Sequence, residues 1–217
     1  MQASIVQSHL RFPLTHLLAG GGHVRVLRSL MTYGAPLGVA QLAADSGLTT
    51  RGTRLVLDSL VSQGIVSVLG QPRSQVFTVA TQHPLAPALK DLFEQERVRW
   101  EALQKGLRAG LASQKEVRSA WLYGSVARGE DEPRSDVDLA LVVNEDTLDV
   151  RHRVRDEVQA MGDRLDVNIS AVVLTPAELA KLSEGDSWWA DVMRDGKVLK
   201  GLAPGKEAMR CARAAQP

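Results

Sequence analysis

The chain has 217 residues, 44% hydrophobic and 24% charged, with a formal net charge of +1 and a single cysteine, Cys211. That balance excludes a disordered or fibrous protein, and one cysteine excludes a disulfide framework or a thiolate metal cluster. No apolar run approaches the roughly 20 residues needed to span a bilayer, and MQASIVQSHLRF lacks the pattern of a signal peptide, so no membrane partner and a cytoplasmic location are expected.

Residues 1–82 carry Arg11, Arg25, Arg28, Arg51, Arg54 and Arg73 against Asp45 and Asp58, a net +4 that leaves −3 for the remainder. Such asymmetry predicts that the front of the chain is the part that meets a polyanion. Within it, His23 to Tyr33 places Val24, Leu27, Leu30 and Met31 at helical spacing and stops at Gly34-Ala-Pro36. A short helix from Val39 to Asp45, the turn Ser46-Gly47 and a helix from Thr49 or Thr50 to about Gln63 follow, with a threonine as N-cap. Two β-like runs, Ile65–Leu69 and Gln75–Ala80, flank the turn-rich Gly70-Gln-Pro-Arg-Ser74. This order predicts a winged helix-turn-helix over residues 14–82 that binds double-stranded DNA, with Arg51, Thr53 and Arg54 at the groove-facing helix and Arg73 at the wing tip. The plainer reading of these arginines is solvation of exposed faces.

Residues 83–113 read as a long connecting helix, with Leu85, Leu89, Leu92, Phe93, Trp100, Leu103, Leu107 and Leu111 on one stripe. The stripe serves either as a connector packed on a neighbouring domain or as a homodimer seam; no strict heptad persists, which favours the connector.

Residues 114–202 alternate strands and helices: Val117–Tyr123, a short helix at Gly124-Ser125, Asp136–Val143, a helix from about Thr147 to Met161, a strand Leu165–Leu174, a helix Pro176–Leu182 and the closing stretch Ser187–Leu199. The fold class expected is therefore α+β, with an α/β C-terminal domain built on a mixed sheet. Residues 203–217 read as a flexible tail.

The stretch that carries chemistry is Gly124-Ser125-x10-Asp136-x-Asp138, entered by one apolar strand and left by another. Gly124 allows a sharp turn and close approach to a phosphate, Ser125 adds a donor, and the short helix aims amides at the same anion. Asp136 and Asp138, two apart at a strand, emerge from one face as hard oxygen ligands suited to Mg²⁺. In Leu165-Asp-Val-Asn-Ile-Ser170 the polar positions 166, 168 and 170 alternate with apolar ones. Asp166 is then expected on the exposed face as the third carboxylate, in preference to Asp163, which reads as a turn residue. Three acids and a phosphate loop match a two-Mg²⁺ plan for displacement at phosphorus, with Asp166 also placed to act as general base. Arg128 and Arg134 are candidates to steady phosphate, or else ordinary surface arginines.

These motifs resemble the minimal nucleotidyltransferases of the DNA polymerase β superfamily, which includes antibiotic nucleotidyltransferases and the antitoxin halves of prokaryotic toxin pairs. The resemblance covers about Glu116 to Gly201. It implies Asp136, Asp138 and Asp166 as catalytic metal ligands, Mg²⁺, and a nucleoside triphosphate, often ATP. The front segment resembles winged-helix modules of transcription regulators, and the tandem is similar to prokaryotic fusions of the two. The function expected is transfer of a nucleoside monophosphate to a hydroxyl on a protein, RNA or small molecule. The alternative is a transcription regulator or antitoxin whose C-terminal domain only binds nucleotide or a partner protein such as a toxin.

Overall fold

The computed structural model describes residues 20–214 except 73, 146, 183 and 184. The chain divides into two compact units, Met1–Trp100 and Glu101–Pro217. Among the described residues no helix is long and apolar enough to cross a membrane.

In the first unit, α1 (Gly21–Tyr33) buries Val24, Leu27 and Leu30 and ends at Gly34, whose φ of 62° supplies the left-handed stop. Strand β1 (Leu37–Gly38) leads into α2 (Val39–Ser46), closed by left-handed Gly47. Helix α3 (Thr50–Ser62) is capped by Thr49, whose hydroxyl accepts from the Gly52 amide at 3.1 Å. Its Leu57 and Leu60 enter the core. Strands β2 (Val66–Leu69) and β3 (Val76–Val79) pair antiparallel, and β1 adds to β3 to give the order β1-β3-β2. The two-residue β1 has no counterpart in the sequence reading, because so short a strand carries no periodicity.

Helix α4 (Ala86–Ser113) contributes its first half to this unit and its second half to the next. In the first unit Phe93 joins the core, and Glu96 is buried in an ion pair with Arg28, whose Nε donates to Glu96 Oε2 at 2.6 Å and Nη2 to Oε1 at 3.1 Å. The Arg28 guanidinium also lies 5.7 Å from the Phe93 ring centre. Arg28 is thus bound internally, and its charge does not contribute to an exposed basic surface.

The second unit is built on a sheet of order β6-β5-β4-β7. Strands β4 (Val117–Tyr123) and β5 (Val137–Val143) are antiparallel, β6 (Ile169–Leu174) runs parallel to β5, and β7 (Lys197–Lys200) is antiparallel to β4. Trp121, Tyr123, Ala140 and Val142 pack with Leu179 of α7 (Pro176–Lys181) and with Trp189 and Val192 of α8 (Ser187–Asp195).

Two expectations are corrected here. The strand expected over Leu165–Leu174 starts only at Ile169, because α6 (Leu148–Leu165) runs on through Leu165. Val150, Val154, Val158 and Met161 are its buried face, and this helical spacing outweighs the short alternation that follows. Two glycines of α4 fit the same helix: a Cβ on Gly106 would lie 2.4 Å from Leu165 Cδ2, and one on Gly110 2.3 Å from Met161 Sδ. The tail expected to be flexible from residue 203 is instead helical over α9 (Pro204–Ala214). Its Glu207 is fully buried and takes ion pairs from Arg118 and Arg210. Residues 215–217 lie outside the described residues.

Candidate active site

Strand β4 ends at Tyr123, and Gly124 turns the chain with φ 74° into the short helix α5 (Gly124–Arg128), which left-handed Gly129 closes. Across the sheet, Tyr123 stands opposite Asp138. The missing side chain at Gly124 is what admits the Asp138 carboxylate: a Cβ there would sit 2.3 Å from Asp138 Oδ2 and 3.1 Å from Cγ. Asp136 is exposed and Asp138 half-buried, while Val137 and Leu139 are fully buried, so the two carboxylates share one face as their spacing requires.

Burial first, and then the neighbouring Asp136 charge, push the Asp138 carboxyl above the usual carboxylate range, with Arg128 acting in the opposite direction. Two mutually repelling carboxylates, one seated against a glycine, fit a divalent cation that relieves both penalties. The same side of Asp138 is walled by Tyr123, whose hydroxyl accepts from Trp188 Nε1 at 2.9 Å with the rings edge to face. Burial, together with Asp138 and Asp191, raises the Tyr123 phenol further and keeps it protonated. Tyr123 and Trp188 carry no site signal in the sequence, since an aromatic at a strand end and another in a helix read as core.

The remaining expected residues fall out differently. Asp166 is not in a strand: it caps α6 in the left-handed region, φ 54° and ψ 47°, a conformation that aspartate tolerates better than most residues. Among the described residues no group of three or more His, Cys, Asp or Glu side chains is placed to hold a metal ion, so Asp136, Asp138 and Asp166 do not form the expected trio. The strand register explains why. Val137 stands abreast of Ile169 and Asp138 abreast of Ser170, and the Val137 amide donates to Asn168 O at 2.8 Å. The positions beside the acidic pair are therefore Asn168 and Ser170, both exposed.

Arg128 is engaged by carboxylates, its Nε donating to Glu130 at 2.7 Å and Nη1 to Asp195 at 2.8 Å. This ties α5 to α8, and Lys197 Nζ reinforces it by donating to Ala127 O. Arg128 thus braces helix α5 and has its guanidinium taken up by two carboxylates, while Arg134 stands exposed on the turn before β5. Ser125 is half-buried at the start of α5, with its carbonyl accepting from Glu130 N at 2.9 Å.

In the first unit, Arg51 and Arg54 are exposed on α3. Thr53 is corrected: it is fully buried, and its hydroxyl donates to Thr49 O at 3.0 Å, so it is withdrawn from any external ligand. Arg73 lies outside the described residues.

Residues 105–199 match the family described as Polymerase beta, Nucleotidyltransferase. The C-terminal part of the chain is therefore similar to polymerase beta nucleotidyltransferase domains, a family that usually uses a nucleoside triphosphate and a divalent metal. No curated protein matches the chain's sequence. Solved structures similar to it include a toxin-antitoxin with AMP-PNP, at 19% identity over 51% of this chain and 85% of that chain with a TM-score of 0.38. Another is the MntA-HepT toxin-antitoxin, at 20% identity over 52% of this chain and 85% of that chain with a TM-score of 0.36.

Proposed function

We propose that the C-terminal unit transfers a nucleoside monophosphate from a nucleoside triphosphate, ATP being the simplest choice, to a hydroxyl acceptor, and that the N-terminal unit is a winged helix that brings this activity to duplex DNA. The observation that carries the first part is the seating of Asp138 in the space left by Gly124, with Asp136 beside it on the same face. Asp136 and Asp138 would hold a divalent ion, most simply Mg²⁺. A bound ion supplies charge neutralisation of the phosphates and polarises the phosphorus under attack. Gly124 and Ser125 offer backbone and hydroxyl donors to the phosphates. The acceptor oxygen bonds to the α-phosphorus, the bond to pyrophosphate breaks, and the acceptor proton leaves to solvent or to a group on the acceptor.

A second reading, nucleotide binding without transfer in a regulator or antitoxin, is favoured by one observation: the third carboxylate does not assemble with the other two. Pyrophosphate release separates the two readings. With α-labelled ATP, Mg²⁺ and lysate from the protein's own source, the full chain is expected to label an acceptor and release pyrophosphate. Asp136→Asn or Asp138→Asn should abolish both; labelling that survives the two substitutions refutes the assignment, and nucleotide binding without pyrophosphate selects the second reading.

A further inference from the structure

Four aromatic rings run in a line that ends beside the acidic pair. Trp121 of β4 meets Trp189 of α8 with ring centres 5.9 Å apart. Trp189 lies 6.2 Å from Trp188 with the planes tilted by 37°, and Trp188 meets Tyr123 edge to face at 5.8 Å. Trp121, Trp189 and Tyr123 are buried, whereas Trp188 keeps part of its surface in solvent. Of these four rings it is the one that a ligand can reach.

Tyr123 fixes its place. Trp188 Nε1 donates to the Tyr123 hydroxyl at 2.9 Å. Tyr123 in turn precedes Gly124 in the chain and stands opposite Asp138 in the sheet, so it adjoins both halves of the site. Helix α8 is anchored at each end independently of any ligand. The Asp186 carboxylate caps it by accepting from Trp189 N at 2.8 Å, and Asp195 accepts from Arg128 of α5 at 2.8 Å. An indole whose N–H is already used inside the protein offers a ligand its π-surface. The charges agree with this. Arg128 and Arg194, the cations of α5 and α8, are taken up by Glu130, Asp191 and Asp195, so neither helix has a cation to spare for a phosphate. What this side of the site offers is a surface for a neutral ring.

We propose that Trp188 is the surface on which the base of the bound nucleotide stacks; this rests on the reading of Gly124, Ser125, Asp136 and Asp138 as the phosphate and ion site, and it assigns the other end of the same ligand. One tyrosine side chain and one hydrogen bond separate the Gly124 turn from the indole, a reach that the sugar and α-phosphate of a nucleotide cover. Stacking recognises any base by its π-face, so the contact binds the nucleoside without reading hydrogen-bond groups on its edge.

Calorimetric titration of the full chain with Mg²⁺ and a non-hydrolysable ATP analogue, set against Mg²⁺ and inorganic tripolyphosphate, separates the base from the phosphates. Trp188→Ala is expected to weaken the analogue about fivefold or more, the lower end of what a base–aromatic stack contributes, and to leave tripolyphosphate unchanged. Trp188→Phe keeps a ring but lacks the N–H for Tyr123, and should retain most of the analogue's affinity. The analogue, unlike tripolyphosphate, should also quench the tryptophan fluorescence of the wild-type chain, and Trp188→Phe should lose that quenching. An equal loss for both ligands in Trp188→Ala makes the indole a prop for Tyr123 and overturns the inference. So does an analogue affinity that Trp188→Ala leaves untouched, or a loss in Trp188→Phe as large as in Trp188→Ala. If Trp188→Ala does not fold by circular dichroism, the quenching in the wild type and its loss in Trp188→Phe decide the matter. A wild-type chain that binds neither ligand overturns the inference together with the proposed function. Binding of both ligands, with the selective loss in Trp188→Ala but no pyrophosphate release, leaves the inference standing and removes the proposed activity alone.

Discussion

Gly124 shows how one residue sets a site. Its φ of 74° and the 2.3 Å gap between a virtual Cβ and Asp138 Oδ2 make two separate demands, one on the backbone and one on space. An alanine there meets both: the left-handed conformation costs about 1–2 kcal/mol, and the carboxylate must leave its seat. Gly124→Ala is therefore expected to weaken Mn²⁺–nucleotide binding by roughly tenfold or more, since each 1.4 kcal/mol is a factor of ten. Isothermal titration checks this, and unchanged affinity would show that Asp138 is not held where the ion binds. Arg128 teaches the reverse lesson: a charge beside the Gly124 turn is not thereby free for an anion, because Glu130 and Asp195 already use it.

At the scale of elements, α9 and the α6–β6 junction departed from expectation for different reasons. Helix α9 has few apolar residues to signal packing, and what fastens it is polar. Glu207, fully buried, accepts from Ser119 Oγ at 2.9 Å and pairs with Arg118 at 2.9 Å and Arg210 at 2.6 Å. Just before α9, Trp121 Nε1 donates to Leu202 O at 2.7 Å. Glu207 is the buried member while Arg118 and Arg210 keep part of their solvent exposure, so Glu207→Ala chiefly leaves the buried Ser119 hydroxyl without its acceptor and should destabilise the C-terminal unit by about 1–3 kcal/mol. Urea denaturation followed by tryptophan fluorescence reads this, because the four tryptophans include Trp121, Trp188 and Trp189 of that unit. A loss below about 1 kcal/mol, the range of exposed pairs, would mean that the carboxylate is not buried as described. At the α6–β6 junction a helical stripe four residues apart met an alternation three positions long, and the longer pattern won.

For the whole molecule, the uneven charge is the property that bears on partners. Of the six arginines in residues 1–82, Arg28 is held by Glu96, whereas Arg51 and Arg54 stand exposed on α3. If the N-terminal unit binds duplex DNA as proposed, that affinity falls steeply with salt. Replacing Arg51 and Arg54 together by alanine should then reduce the salt slope by about 2, at roughly 0.9 for each phosphate that is no longer neutralised. Fluorescence anisotropy across a salt series measures it; no duplex affinity at low salt would make this unit a protein-docking module.

What the sequence determined by itself was whatever depends on neighbours along the chain. Helix stops at Gly34 and Gly47, the threonine cap of α3, the Gly124-Ser125 turn and the shared face of Asp136 and Asp138 all follow from local backbone chemistry and a period of two or 3.6 residues. Even the polar face at 166, 168 and 170 was readable as an alternation. Which of those three stands beside Asp136 was not, because strand register depends on where α6 ends, and that is set by α6 packing against Gly106 and Gly110, more than 50 residues away in sequence. Only the tertiary structure could decide that the neighbour is Asn168, that Thr53 points inward and that Glu207 draws the last helix onto the sheet. Each of these outcomes turns on a contact between residues that no spacing along the chain relates.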